Sequence, residues 1–326
     1  MRRNQWEAGF WIITSVVAIL IGSMIVQAKT PDGKWLIGFA QDTLNQPWRA
    51  YQAKVVEREL KKLPNVVPLI TDGQGRSEKQ IANIEDMVTR GIDLLIVSPN
   101  QEGALTPVIS QVFKKGIPVI CIDRGVTGED YTLWVKGNNF KIAAMCADYI
   151  AQKLTKKYGE PMGNVVVLEG VPGSSSAIER GQGFRSRLAE KYPKMKILAS
   201  QPADYRRDKA MHIMEDYLQT FPKIDALFSM ADEMTMGAVF AIENAGRRKE
   251  MVIASMNATS EAIKALMDGR LDCTPLYPNC VAPAVEAAMK LLAGQKLKQK
   301  VVLIDPVMID ETNASKFYFP DRYTPE

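Results

Sequence analysis

Histidine is nearly missing from this sequence: His212 is the one histidine in 326 residues. Cysteine is scarce too, and Cys121, Cys146, Cys273 and Cys280 never form a CxxC pair. These two shortages exclude a Cys/His zinc cluster. They also leave no base for a serine or cysteine triad, because His212 lies in the charged stretch 208–216 and reads as a solvated helix residue. Gly173-Ser174-Ser175-Ser176-Ala177 lacks the G-x-S-x-G of a nucleophile elbow. Gly73-Gln74-Gly75-Arg76 lacks both the Lys-Ser/Thr of a phosphate loop and the third glycine of a dinucleotide fingerprint, and reads as a turn. Net charge is small as well, 41 basic against 37 acidic residues, with no basic cluster to coat a nucleic acid. The reading is a protein that is not an enzyme and needs no metal, cofactor or nucleic acid.

Long apolar runs are confined to the beginning of the chain. Arg2 and Arg3 precede an uncharged stretch, 10–26, and Val26-Gln27-Ala28 offers small residues before a cut ahead of Lys29. Residues 1–28 therefore read as a signal peptide, which places the folded part in the periplasm or another extracytoplasmic space. An uncleaved membrane anchor is the competing reading, since the stretch just reaches the short limit of a span. No cysteine follows it to carry a lipid.

The whole chain is 46% hydrophobic and 24% charged, the balance of a globular chain of about two domains. Short apolar runs are expected as strands at 35–41, 66–71, 93–98, 118–122, 132–135, 164–169, 196–200, 226–229 and 252–255. They are nearly continuous, as strands buried on both faces must be. Amphipathic stretches alternate with them: Trp48, Tyr51, Val55 and Leu60 follow one helix face, as do Ile81, Ile84, Met87 and Val88. Ser77 with Gln80 reads as a capping box, and Gly91 stands where that helix ends. The alternation predicts an α/β fold of two doubly wound parallel-sheet lobes. Ligands of such sheets bind beyond the carboxyl ends of the strands. The residues there, including 41–48, 123–125, 170–177, 201–205, 230–233 and 256–259, are mostly polar and aromatic. Asp232 and Glu233, at a helix start, read as partners of its dipole.

Those strand-end segments carry a resemblance. Thr43-Leu44-Asn45-Gln46-Pro47-Trp48, Glu179-Arg180-Gly181-Gln182-Gly183-Phe184, Ala203-Asp204-Tyr205 and Asp232-Glu233-Met234 stand in the order found in the type I periplasmic sugar-binding proteins of ABC importers. The chain resembles their ribose-binding branch. The resemblance implies two lobes, 33–136 plus 277–305 and 137–276 plus 306–326. A hinge of three crossings, near Lys136, Leu276 and Asp305, would join them. It also implies a monomer that closes on one sugar, polyol or sugar-like solute and docks on an ABC permease.

On this resemblance, Trp48 and Tyr205 match aromatic sugar-contact positions, and Asp123 with Arg124 match an Asp-Arg pair that meets hydroxyls. Gln46 stands for an asparagine and Asn257 for an aspartate. Ile178, Ala231 and Leu276 replace an arginine, an asparagine and a glutamine, a loss of three polar partners that speaks against a ribose-like pyranose in the usual pose. Cys273 and Cys280 flank a crossing, and their pairing stays open. The tail 311–326, with Phe317, Tyr318, Phe319 and Tyr323, is expected to pack across the second lobe. A ligand-binding sensor component for a membrane receptor or kinase is the alternative function. A LacI-type regulator needs a helix-turn-helix before the first strand, where residues 1–33 have an apolar segment instead.

Overall fold

In a computed structural model that describes residues 30, 32–321, 323 and 324, the strands gather into two sheets, both parallel throughout. The first contains β1 (Trp35–Gln41), β2 (Val66–Asp72), β3 (Leu94–Val97), β4 (Val119–Ile122), β5 (Leu133–Gly137) and β10 (Val301–Ile304), in the order β10-β5-β4-β3-β1-β2. The second contains β6 (Gly163–Glu169), β7 (Met195–Pro202), β8 (Ala226–Ser229) and β9 (Val252–Ala254), in the order β7-β6-β8-β9. The segment read as a signal peptide lies outside the described residues.

Helices α1 (Pro47–Lys61), α2 (Ser77–Thr89), α3 (Glu102–Lys114) and α9 (Val281–Leu292) flank the first sheet. The second is flanked by α4 (Asn139–Tyr158), α5 (Ser175–Lys191), α6 (Arg207–Thr220), α7 (Asp232–Asn244) and α8 (Ser260–Met267), and a short α10 (Ala314–Phe317) rests on α8. The period of two decides which side chain meets which helix layer. In β3, Leu94 and Ile96 join the core beneath α1 and α9, while Leu95 and Val97 join the core beneath α2 and α3. All four are fully buried, which explains the unbroken apolar run.

The nine expected strands are present to within two residues at each end, and β10 is additional. Val301–Ile304 forms a sheet edge with alternating exposure, so it lacks the two-sided burial that marked the others. Two local expectations are corrected. Ser77 is the first residue of α2, behind an Arg76 cap without a side-chain bond, and forms no capping box. Gln80 turns inward instead: its Nε2 donates to the Ala40 and Ser98 carbonyls at 3.0 and 2.9 Å, tying together the ends of β1 and β3. Cys273 and Cys280 are not paired; all four cysteines are free and buried. Cys273 sits instead beside Cys146, in the layer between α4 and the end of β9.

The chain passes between the sheets where three segments lie side by side. Asn138 N donates to Ile304 O at 2.9 Å, and Leu276 pairs with both Asn257 and Val307 through backbone bridges. Asp305 accepts from Asn138 Nδ2 and Lys141 Nζ at 3.1 and 2.6 Å.

Candidate functional site

Because every strand in a parallel sheet ends on the same side, the carboxyl ends of the two sheets face each other across one cavity. Its walls come from separate loops: Gln46, Trp48 and Arg49 after β1, Asp123 after β4, Ser176 and Arg180 on α5, Tyr205 after β7, Ala231 and Glu233 after β8, Asn257 after β9, and Tyr277 on a crossing segment.

An ion-pair network forms the floor. Arg49 Nη1 lies 2.6 Å from Asp123 Oδ2, and the Tyr277 hydroxyl donates to Asp123 Oδ1 at 2.6 Å. Burial alone would lower the pKa of Arg49, but Asp123 and Asp42 more than offset this and raise it. For Asp123 burial pulls upward, and the guanidinium groups of Arg49 and Arg124 outweigh it, holding the carboxyl below its usual range. Burial and the adjacent Asp123 push the Tyr277 hydroxyl well upward, so it is a fixed donor. Arg180 is different: its Nε donates to Asn139 Oδ1 at 2.9 Å and its Nη1 to the Met230 carbonyl at 2.6 Å, neutral acceptors both.

Three aromatic rings give the cavity its apolar surface. Trp48 and Tyr277 have centroids 5.9 Å apart, and the guanidinium of Arg180 lies 4.6 Å over the Tyr277 ring. Two glycines make room for the tyrosines. A Cβ at Gly137 would stand 2.3 Å from Tyr277 Cε2, and one at Gly170 would stand 2.1 Å from Tyr205 Cζ. Positive φ angles at Asp123 (61°), Tyr205 (57°) and Asn257 (123°) set these residues where the strands end.

Bonds across the cleft bring the two sets of loops together. Gln46 Nε2 donates to Asp204 O at 3.0 Å, Glu102 N to Gly173 O at 3.0 Å, and Gly125 N to Ser175 Oγ at 3.0 Å. Lys136, on β5, pairs with Glu179, on α5. The described arrangement is thus a closed one. Inside it, Trp48 Nε1 and Asn257 Oδ1 are buried without a protein partner. One unused donor and one unused acceptor on the same cavity match a solute carrying hydroxyls, which supply both roles.

Of the residues singled out in the sequence, Gln46, Trp48, Asp123, Tyr205, Ala231 and Asn257 line this cavity. Arg124 lies behind the wall, fully buried, with Nη1 on Asp42 at 2.8 Å and its guanidinium 5.4 Å over the Tyr205 ring. Ile178 is elsewhere, 38% exposed beside Gln101 and Thr127 in a shallow outer cleft. Ser176 and Arg180, one turn apart on α5, share the inner face, and Ile178 between them points away. Leu276 serves the crossing through its backbone, and its neighbour Tyr277 faces the cavity. Arg49, Ser176, Arg180, Glu233 and Tyr277 were missed. The signals were near: Arg49 adjoins Trp48, Arg180 sits in the quoted Glu179-Arg180-Gly181 segment, and Glu233 had been given to the helix dipole.

The comparisons agree with this architecture. The family model described as a periplasmic binding protein domain matches residues 37–296. The ribose import binding protein of Salmonella typhimurium is 35% identical over 291 residues, covering 88% of this chain and 95% of that protein. The galactofuranose-binding protein of Escherichia coli is 28% identical over 319 residues, covering 95% and 94%. Among solved structures, the fructose binding periplasmic domain of a hybrid two component system matches with a TM-score of 0.81 at 31% identity, covering 86% of this chain and 92% of that one. The chain belongs to the type I periplasmic sugar-binding protein family.

Proposed function

We propose that this chain is the extracytoplasmic receptor of an ABC importer, that it closes on a single small sugar or polyol, and that it performs no chemistry on its solute. The observation that carries the reading is the cavity itself: three rings, an Arg-Asp network, and the buried Trp48 Nε1 and Asn257 Oδ1 without protein partners. Rings cover the apolar face of a sugar, and the charged network meets its hydroxyls with both donors and acceptors. On this reading residues 33–136 plus 277–305 form one lobe and 137–276 plus 306–326 the other. The three crossings act as the hinge, and residues 1–28 direct export. The closed monomer would dock on its permease.

Of the three apolar positions set against a ribose-like solute, Ile178 and Leu276 do not line the cavity, and Arg49, Arg180 and Tyr277 supply polar groups there beside Ala231. The favoured solute is therefore a small sugar or polyol with several hydroxyls. The test is thermal unfolding of residues 29–326 against D-ribose, D-fructose, L-arabinose, D-galactose, xylitol and myo-inositol. A ligand at about 100 times its Kd adds about 2.7 kcal/mol, which raises the midpoint by several degrees. A shift with one of them supports the reading, and consumption of the solute would overturn it. A sensor role is the second reading, supported by the likeness to the domain of a two component system. It predicts docking on a receptor or kinase by the same closed form.

A further inference from the structure

Tyr323 belongs to the aromatic tail for which the transport reading provides no role, and it touches both halves of the molecule. Its ring lies against Tyr51 of α1, beside the first sheet, with centroids 5.4 Å apart. Its hydroxyl donates to Glu233 Oε1 at 2.9 Å, beside the second sheet. The backbone of the tail is fastened to α8: Ser260 N donates to Tyr323 O and Ser260 Oγ to Phe319 O, both at 2.8 Å. Glu233 in turn faces the solute cavity, and its second oxygen accepts from Arg207 Nη2 at 3.0 Å.

We propose that the tail residues 318–321, 323 and 324 act as a strap that favours the closed form, with Tyr323 as its latch. The tail is anchored to the second half through Ser260, so its ring contact with Tyr51 exists only while the two halves are together. Whatever stabilises the closed state slows release by that factor and raises solute affinity to the extent that the empty protein is open. A ring pair of this kind contributes a factor of about two to ten. The hydroxyl has a second role, as a positioning group that fixes the Glu233 carboxylate at the cavity wall. Glu233 would then meet the solute with a set orientation, an inference that rests on the transport reading.

Two substitutions separate the roles. Tyr51→Leu removes the ring contact and leaves the Glu233 bond; Tyr323→Phe does the reverse. Small-angle scattering without added sugar is expected to show a larger radius of gyration for Tyr51→Leu than for the unaltered protein, with circular dichroism unchanged. An identical scattering curve overturns the strap. Stopped-flow release is then measured with whichever of the six compounds above shifts the unaltered protein most. Tyr51→Leu is expected to release it about two to ten times faster. Tyr323→Phe is expected to weaken its equilibrium binding while leaving the scattering curve alone, and unchanged binding overturns the positioning role. If none of the six binds, the transport reading fails and the scattering result still decides the strap.

Discussion

Tyr277 holds Asp123 from a crossing segment: its hydroxyl donates to the carboxylate that closes β4, at 2.6 Å, with both groups buried. The crossing segment and the floor of the site are thereby joined in one bond. Tyr277→Phe leaves the Asp123 carboxylate with one donor fewer. A buried bond to a charged group contributes about 1.5–3 kcal/mol. The variant is expected to lose about that much stability in urea unfolding and to bind solute more weakly, and equal midpoints would contradict it.

Arg180 tests whether the cavity recognises hydroxyls through a guanidinium held by neutral acceptors. Arg180→Met keeps the stem and removes the fork. Calorimetric titration is expected to show solute binding weakened by about a hundredfold, in line with loss of charge-assisted bonds of about 1.5–3 kcal/mol. Arg180→Lys is expected to recover only part of it, because an ammonium cannot reach Asn139, Met230 and a solute together.

Gly137 is a test of close approach. Gly137→Ala drives a methyl group into the Tyr277 ring, and overpacking of this kind costs about 1–3 kcal/mol. The expected result is a lower thermal midpoint together with weaker solute binding, since the displaced ring is part of the wall. Gly103→Ala, where nothing lies within 4 Å of the new Cβ, is the control and is expected to bind normally.

Asp232 provides a pH prediction. Burial pushes its carboxyl up to about 6 from 3.8, against the pull of donors from Ser255, Thr259 and Thr274. A folded pKa above the unfolded one means that the folded state binds the proton more tightly. The charged form therefore costs stability above about pH 6, and the cost disappears as pH falls through 6 toward 4. Two pKa units correspond to about 3 kcal/mol. Urea midpoints at pH 7.5 and 5.5 are expected to differ in favour of pH 5.5 by more in the unaltered protein than in Asp232→Asn. Asp123 acts in the opposite sense: its lowered pKa contributes stability above pH 3.8 that is lost on further acidification.

The strand order of burial was legible because parallel strands covered on both faces leave unbroken apolar runs, as Leu94 to Val97 do. β10 was not, since an edge strand with Val301 and Leu303 exposed has no such constraint. Around the cavity, Trp48, Asp123 and Tyr205 stand in strand-end segments, and the family resemblance singled them out there. Arg180 was missed for a geometric reason. Only the helical register tells which of Ile178 and Arg180 faces inward, and both stand in the same short segment. Glu233 stands in a strand-end segment but has a second role open to it at the helix start, and Tyr277 depends on where a crossing lies in space, which no local pattern encodes.

The cavity wall is a mosaic. Gln46, Asp123, Arg180, Tyr205, Glu233, Asn257 and Tyr277 hang from seven different segments, and the sheets beneath contribute none of their central residues. Such a surface can exchange one tile without disturbing its neighbours' foundations. Most core residues of the two sheets lie outside this wall, so a lineage built on this scaffold can change what it captures by small steps while the two sheets stay as they are.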